Sequence, residues 1–283
     1  MIQAIARKTG GSIRKVCGVF GEARSSFYHA STPTATQVAD ADLGELIAAV
    51  FRRHRRRYGY RRLAQELSDR GVICAPARIR RIMAQRGLHA IQPKTFIPRT
   101  SDGRADKPSA NLISGTSLPS VPDRVWAGDI TFIPTGAGWL YLAVVIDLCS
   151  RRVIGWSLAN HMRSELVLDA LLQALQTRTA SGVIFHSDRG SQYGSTPFRN
   201  ALAEAGLRQS MSARANPYDN AWTESFIGTL KLEMLQDGCF ENAGDARTEI
   251  FDYIEGYYNT HRKHSAIGYK TPSQFEAQIN SLN

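Results

Sequence analysis

Three β-prone runs follow one another with only turn-sized gaps between them: Val125 to Ile133, Trp139 to Asp147 and Arg152 to Leu158. Gaps that short cannot hold the crossover a parallel pair needs, so the runs are predicted to form an antiparallel meander. The pattern then changes. Ser164 to Arg178 has the apolar content of a helix with a buried face, and Gly182 to His186 is a short β run. Thr196 to Ala205 reads as a helix with Pro197 in its first turn, and Arg208 to Ser212 as another short strand. A long helix running to about Leu235 follows, with Asp219 expected as its N-cap. The order β-β-β-α-β-α-β-α implies an α/β fold: a mixed five-stranded sheet flanked by helices.

Charge divides the chain. Residues 1–120 hold 21 Lys and Arg against 8 Asp and Glu, and residues 121–283 hold 14 against 17, so the whole positive excess is N-terminal. Such an excess is expected of a segment that meets phosphates. Within it, Ser12 to Tyr28 fits two short helices and a tight turn around Gly18 and Gly21. From Ala41 to Arg57, Leu43, Leu46, Ile47, Val50 and Phe51 recur on one helix face. The pattern continues in Leu63 to Leu67 and Ala77 to Met83, with Gly71 and Gly87 as stops. The expected organisation is a partial helix-turn-helix-like segment over 1–40, a basic all-α domain over 41–93, a Pro-, Ser- and Gly-rich linker over 94–120, and a core with C-terminal helices over 121–283.

The segment Phe51 to Arg62 packs seven arginines into twelve positions. Arg52, Arg53, Arg55, Arg56, Arg57, Arg61 and Arg62 are candidate DNA contacts, with Tyr58 and Tyr60 interleaved as aromatic partners. The competing reading is a solvated basic face. Other functions lack their residues. Cys17, Cys74, Cys149 and Cys239 stand singly, against both a zinc site and a disulfide framework. The longest apolar stretch, Trp139 to Ile146, is far short of a membrane span, and the first residues lack a signal-peptide core, so a cytoplasmic location is expected. Phosphate-loop, zinc-protease and nucleophile-elbow motifs are absent.

Three carboxylates occupy telling places. Asp129 lies among Trp126, Ile130 and Phe132 in a strand that should be central; Asp188 follows the fourth strand; Glu224 is on the long helix. A carboxylate in a central strand is costly to bury unless hydrogen bonds or a metal satisfy it. Hard divalent ions take oxygen ligands from a few carboxylates, and a pair of them about 3.5 to 4 Å apart suits phosphoryl transfer. Several neighbours have blander readings. His186 closing a strand reads better as packed or hydrogen-bonded than as a ligand, Asp147 as a strand end, and the run His261, Arg262, Lys263 and His264 as a basic cluster at a DNA surface or a solvated helix end.

From about Val125 to Phe275 the chain resembles the DDE transposases of bacterial insertion sequences, the second-frame product of two-frame elements, whose core is similar to retroviral integrase. The resemblance rests on Trp126-Ala-Gly-Asp129-Ile-Thr131, Gly138-Trp-Leu-Tyr-Leu-Ala143, Ile146-Asp-Leu-Cys-Ser-Arg151, His186-Ser-Asp-Arg-Gly-Ser-Gln-Tyr193, Pro217-Tyr-Asp-Asn-Ala221, Glu224-Ser225, Leu230-Lys-Leu-Glu233 and Tyr258-Asn-Thr-His-Arg-Lys-His264. Thirty-five residues separate Asp188 from Glu224, the family's signature interval. Tyr58-Gly-Tyr-Arg-Arg62 and Arg78-Ile-Arg-Arg-Ile-Met83 resemble its accessory helical DNA-binding domain. In Ala213-Arg-Ala-Asn216 an alanine stands where the family usually has Gly before the Asn, which implies a stiffer loop ahead of the Glu-bearing helix.

The resemblance implies an RNase H-like core that cleaves element ends and joins the freed 3′ hydroxyl to another strand. Asp129, Asp188 and Glu224 would be both catalytic and metal-binding, holding two Mg²⁺ or Mn²⁺ ions. Lys231 lies seven residues beyond Glu224, about 700° of helix and so on the same face, and would grip a DNA phosphate. Partners implied are element-end and target DNA, a second copy, and the longer frameshifted fusion, whose front part carries the main end-recognition helices and a dimerising zipper; the setting is the bacterial nucleoid. Two rival readings are a catalytically silent DNA-binding regulator of the longer transposase and a structure-selective nuclease on the same core.

Overall fold

The computed structural model describes residues 1–31, 35–92, 108–179, 181–213, 220–236 and 238–281. They form two compact units, Met1–Ala90 and Ile91–Asn283.

The first unit is all helix: α1 (Ile2–Thr9), α2 (Ile13–Val19), α3 (Arg24–Ser31), α4 (Ala35–Arg53), α5 (Tyr60–Asp69) and α6 (Pro76–Gln85). Ser12 caps α2, its side chain accepting from the Lys15 backbone N–H. Gly21 and Gly71, both with positive φ, turn the chain out of α2 and α5. The core is formed by Ile47, Val50 and Phe51 of α4, Tyr58, Leu63 and Leu67 around α5, and Ile79, Ile82 and Met83 of α6. Apart from Tyr58, these lie in the runs that the helical spacing picked out. Helix α4 begins at Ala35, ahead of the apolar periodicity, and its extra turns are tied down electrostatically: Asp40 accepts from Arg78 at 2.7 Å and from Arg81 at 2.6 Å.

The second unit is built on five strands: β1 (Val125–Thr135), β2 (Gly138–Asp147), β3 (Val153–Ala159), β4 (Ile184–Ser187) and β5 (Arg208–Met211). The sheet order is β3-β2-β1-β4-β5. The first three strands form the antiparallel meander, with Asp129 opposite Val144, and β4 and β5 add in parallel. This is the mixed five-stranded sheet anticipated above. Alternation along the strands divides the interior in two. Trp126, Ile130, Ala143 and Val145 face α7 (Ser164–Thr177) and α9 (Thr196–Glu204), while Ile133, Leu142, Val144 and Ile146 face α10 (Ala221–Met234) and α11 (Ala243–Phe251). Gly155 lets α7 lie directly on β3, since a Cβ there would stand 2.2 Å from the Ala170 carbonyl oxygen.

Of the stretch expected as linker, residues 94–107 lie outside the described residues, as does residue 93 before it. Residues 109–113 are fastened to the sheet edge: the Met211 N–H donates to the Ala110 carbonyl, the Leu112 N–H to Ser210 Oγ, and Ile113 is buried with Val125, Ala127 and Leu148. After α11 the chain continues as a π-helical stretch, Asp252–Tyr258, a short 3₁₀ turn, Ser265–Ile267, and α12 (Pro272–Asn280), which starts with a capping box between Thr271 and Gln274. Asn259 covers the free edge of β3 at one point, its side chain exchanging two hydrogen bonds with the Val153 backbone.

Candidate active site

Asp129 sits midway along β1, the central strand, with its side chain on the face that meets α10. Its Oδ1 accepts from the Ile130 N–H at 2.8 Å. Asp188 follows β4 directly, its Oδ1 accepting from the Gly190 N–H at 2.9 Å. Glu224 is exposed in the first turn of α10, where the helix dipole favours a negative charge. Asp129 and Asp188 are half-buried. The three are electrostatically joined: the Asp129 carboxyl is pushed up to about 8, chiefly by burial, then by Asp188, with a smaller push from Glu224, against the Ile130 hydrogen bond and Lys231. Residues up to 95 positions apart thus share one field because β4 ends beside the middle of parallel β1, next to Asp129, and α10 packs on β1.

Lys231 is half-buried on α10, and its ammonium feels Asp129, although burial lowers its affinity for the proton. Tyr193 of the short helix α8 (Ser191–Gly194) is packed behind the cluster, its hydroxyl held protonated by burial and by the charges of Asp129 and Asp188. Gly128 permits this packing: a Cβ there would meet Phe185 at 2.7 Å and Tyr193 at 3.3 Å. Among the described residues no three His, Cys, Asp or Glu side chains stand close enough to form a ready-made metal centre. The donors nevertheless suit a hard cation: all are carboxylate oxygens, and their mutual repulsion is what a positive charge would relieve.

The other sequence candidates separate from this cluster. His186 is fully buried and its Nδ1 is hydrogen-bonded to Ser210 Oγ at 2.9 Å, the packed reading. Asp147 is fully buried at the end of β2, accepting from the Asp123 N–H and from the Ser150 N–H and hydroxyl. Asp219 and residues 214–216 of the alanine-bearing loop lie outside the described residues; Asn220 stands at the N-cap of α10. The run from His261 to His264 is not the basic surface cluster or solvated helix end expected of it. His261 is exposed, but Arg262 and Lys263 are each only 4% exposed, and Arg262 is bound to Glu233. Their charges are not a surface cluster, because the C-terminal segment folds inward against α10.

In the first unit, Arg52, Arg53, Arg55, Arg56 and Arg61 are exposed and Arg57 and Arg62 half-buried. They do not share one helix. The run spans the end of α4, a turn in which Arg55 and Arg56 both have positive φ, and the start of α5. Tyr58 is fully buried, stacked on His54 at 3.8 Å, so it belongs to the core and is not an aromatic platform for bases. Tyr60 carries Arg61 over its ring at 5.1 Å. Arg78 and Arg81, part of a motif matched to a DNA-binding domain, are held by Asp40. No helix among the described residues is long and apolar enough to cross a membrane.

Comparison with known proteins places these features. Residues 37–96 match the HTH-like domain family, and residues 119–217 and 205–272 match two integrase core domain families. The chain is 42% identical to the transposase for insertion sequence element IS904 of Lactococcus lactis over 245 residues, covering 86% of this chain and 97% of that protein. It is 39% identical to the transposase InsF for insertion sequence IS3A of Escherichia coli K12 over 270 residues, covering 94% of both. Among solved structures, the HTLV-2 integrase catalytic core domain in complex with magnesium is similar at 20% identity and a TM-score of 0.42, covering 55% of this chain and 97% of that one.

Proposed function

The chain belongs to the insertion-sequence transposases with an integrase core domain, and from that premise we propose that Asp129, Asp188 and Glu224 are the groups at which it cuts and joins DNA. The observation that carries this reading is the Asp129 carboxyl, raised to about 8 by burial and by acids delivered from two other elements. A protein does not gather like charges around a carboxyl in its central strand without a counter-charge, and two Mg²⁺ or Mn²⁺ ions held by Asp129, Asp188 and Glu224 would supply it. Such ions, when bound, lower the charge on the reacting phosphate and make water or a DNA hydroxyl a better nucleophile.

The chain's own residues do the rest. Asp129 and Asp188 present oxygens fixed by the Ile130 and Gly190 N–H groups, so their orientation is set before DNA arrives. Glu224 reaches in from the solvent side of α10. Lys231, two turns further on, holds a phosphate beside the one that reacts, and exposed Arg52, Arg53, Arg55, Arg56 and Arg61, with Arg57 and Arg62, carry duplex backbone over the first unit. The division of labour is a DNA-holding region over 1–93 and a catalytic core over 121–283. The chain works in the bacterial nucleoid with a second copy or with the longer frameshifted transposase.

The test is strand joining of labelled element-end DNA by this chain, with and without Mg²⁺. Joined product that requires both Mg²⁺ and Asp129 supports the reading. Cuts without joining would make it a nuclease, and DNA binding without any product would make it a regulator.

A further inference from the structure

Helix α10 carries two faces with different chemistry. At about 100° per residue, Glu233 lies nine steps or about 900° from Glu224, half a turn away, on the opposite side of the helix. That opposite side, Thr223, Phe226, Leu230 and Glu233, is buried, while Glu224 is exposed and Lys231 half-exposed. An acid on the buried side of a helix is unusual, and this one is fully engaged. Both Glu233 oxygens accept from Arg262: Oε1 from Nη2 at 2.8 Å and from Nε at 3.0 Å, and Oε2 from Nε at 3.1 Å. Oε2 also accepts from the Tyr253 hydroxyl at 2.9 Å.

The donors come from the C-terminal segment. Tyr253 lies in the π-helical stretch, and Arg262 follows it with its backbone N–H donating to the Tyr257 carbonyl. The segment is itself anchored elsewhere: Asn259 to Val153 on β3, and the Ser273 N–H to the Asn259 carbonyl. Tyr258 meets Phe226 edge to face at 4.7 Å and lies under the Arg262 guanidinium at 5.8 Å. Apolar contacts alone would permit α10 to rotate or slide by part of a turn, because they are not directional. A forked guanidinium on one carboxylate is directional, and fixes both the rotation and the height of the helix.

We propose that Glu233, Arg262 and Tyr253 are positioning residues for the reaction: from the far side of α10 they hold the helix in the register that brings Glu224 and Lys231 to Asp129. This rests on the reading of Asp129, Asp188 and Glu224 as the metal-holding acids. It gives the C-terminal segment, residues 252–264, a part in the chemistry without touching DNA or metal. The buried pair is specific where a hydrophobic pair would merely be stable.

The experiment compares the parent with Glu233→Met combined with Arg262→Met, which restores apolar packing, and with Arg262→Lys, which keeps the charge and loses the fork. All are assayed at a temperature where thermal unfolding shows each to be folded. Three quantities are read: affinity for Mn²⁺ alone, by electron paramagnetic resonance; the single-turnover joining rate at saturating end DNA; and hydrogen exchange of the α10 amides against those of β1 and β2. The double variant should bind Mn²⁺ about tenfold more weakly, join about 100-fold more slowly with end-DNA affinity within about threefold, and exchange faster in α10 alone. Arg262→Lys should fall between, and decides the matter if the double variant does not fold. Parent-level Mn²⁺ affinity, joining and α10 exchange in a folded variant overturn the proposal. A parent that joins no DNA tells against the proposed function, while Mn²⁺ affinity and α10 exchange still decide the clamp.

Discussion

Both units pair acids with arginines, the sheet unit at Glu233 with Arg262 and at Glu276 with Arg152 and Arg178, but they differ at the candidate active site. In Met1–Ala90 three acids are held by arginines: Asp40 takes Arg78 and Arg81, Glu45 takes Arg86, Glu66 takes Arg70. In the sheet unit, Asp129, Asp188 and Glu224 are brought into one field with Lys231 as the counter-charge at Asp129. The first arrangement stabilises a scaffold that keeps a surplus of arginines on its surface. The second is unfavourable until something positive arrives, which under the proposed function is the metal.

Asp129→Asn should have the largest effect, abolishing joining while leaving duplex binding intact. It should also stabilise the metal-free protein. With its folded value near 8 and its ordinary value at 3.8, Asp129 binds its proton more tightly folded than unfolded, so metal-free stability falls as pH rises between those values and levels off above. Asparagine removes that slope, a gain on the order of 2–5 kcal/mol at pH 8 in chelator, read by denaturant unfolding across pH. A stability–pH profile identical to the parent's would break the contrast between the units.

Replacing Arg52, Arg53 and Arg55 by Ala should come next, lowering the slope of log affinity against log salt by about 2 to 3 on duplex DNA, since each phosphate contact contributes about 0.9. An unchanged slope would remove these side chains from the interface. Asp40→Asn removes the acid that holds two arginines of the first unit. Released from Asp40, Arg78 and Arg81 should raise non-specific duplex affinity severalfold at low salt while lowering the melting temperature of the first unit; a weaker binder would show instead that the pair orients those arginines productively. Lys231→Ala should be smallest, slowing joining and weakening end-DNA binding a few-fold, with Mn²⁺ affinity and melting temperature near the parent's.

What was legible in the sequence follows from range. The meander, the two short parallel strands and the core face of α4 are local patterns of period two or 3.6, and they fold as read. The grouping of Asp129, Asp188 and Glu224 was legible only through the resemblance, because spacing along a chain does not say which strand ends meet. Partners set by long-range packing were not legible. Arg262 and Lys263 read as surface charge since nothing near them in sequence announces Glu233, 29 positions earlier for Arg262. Tyr58, flanked by arginines, read as an aromatic at a binding surface, whereas it is stacked on His54 inside the helical core. In both cases local polarity misled because burial of a single residue is decided by an element elsewhere.

In the proposed function, three acids from β1, the end of β4 and α10 form one metal-holding centre. Crystals of the full chain soaked in Mn²⁺ and measured for anomalous scattering test it most directly. Mn²⁺ should be shared by the carboxylates of Asp129 and Asp188, with Glu224 completing the site at separations compatible with a pair of ions about 3.5 to 4 Å apart. Mn²⁺ bound elsewhere, or any two of these carboxylates held beyond about 10 Å with metal present, would contradict it.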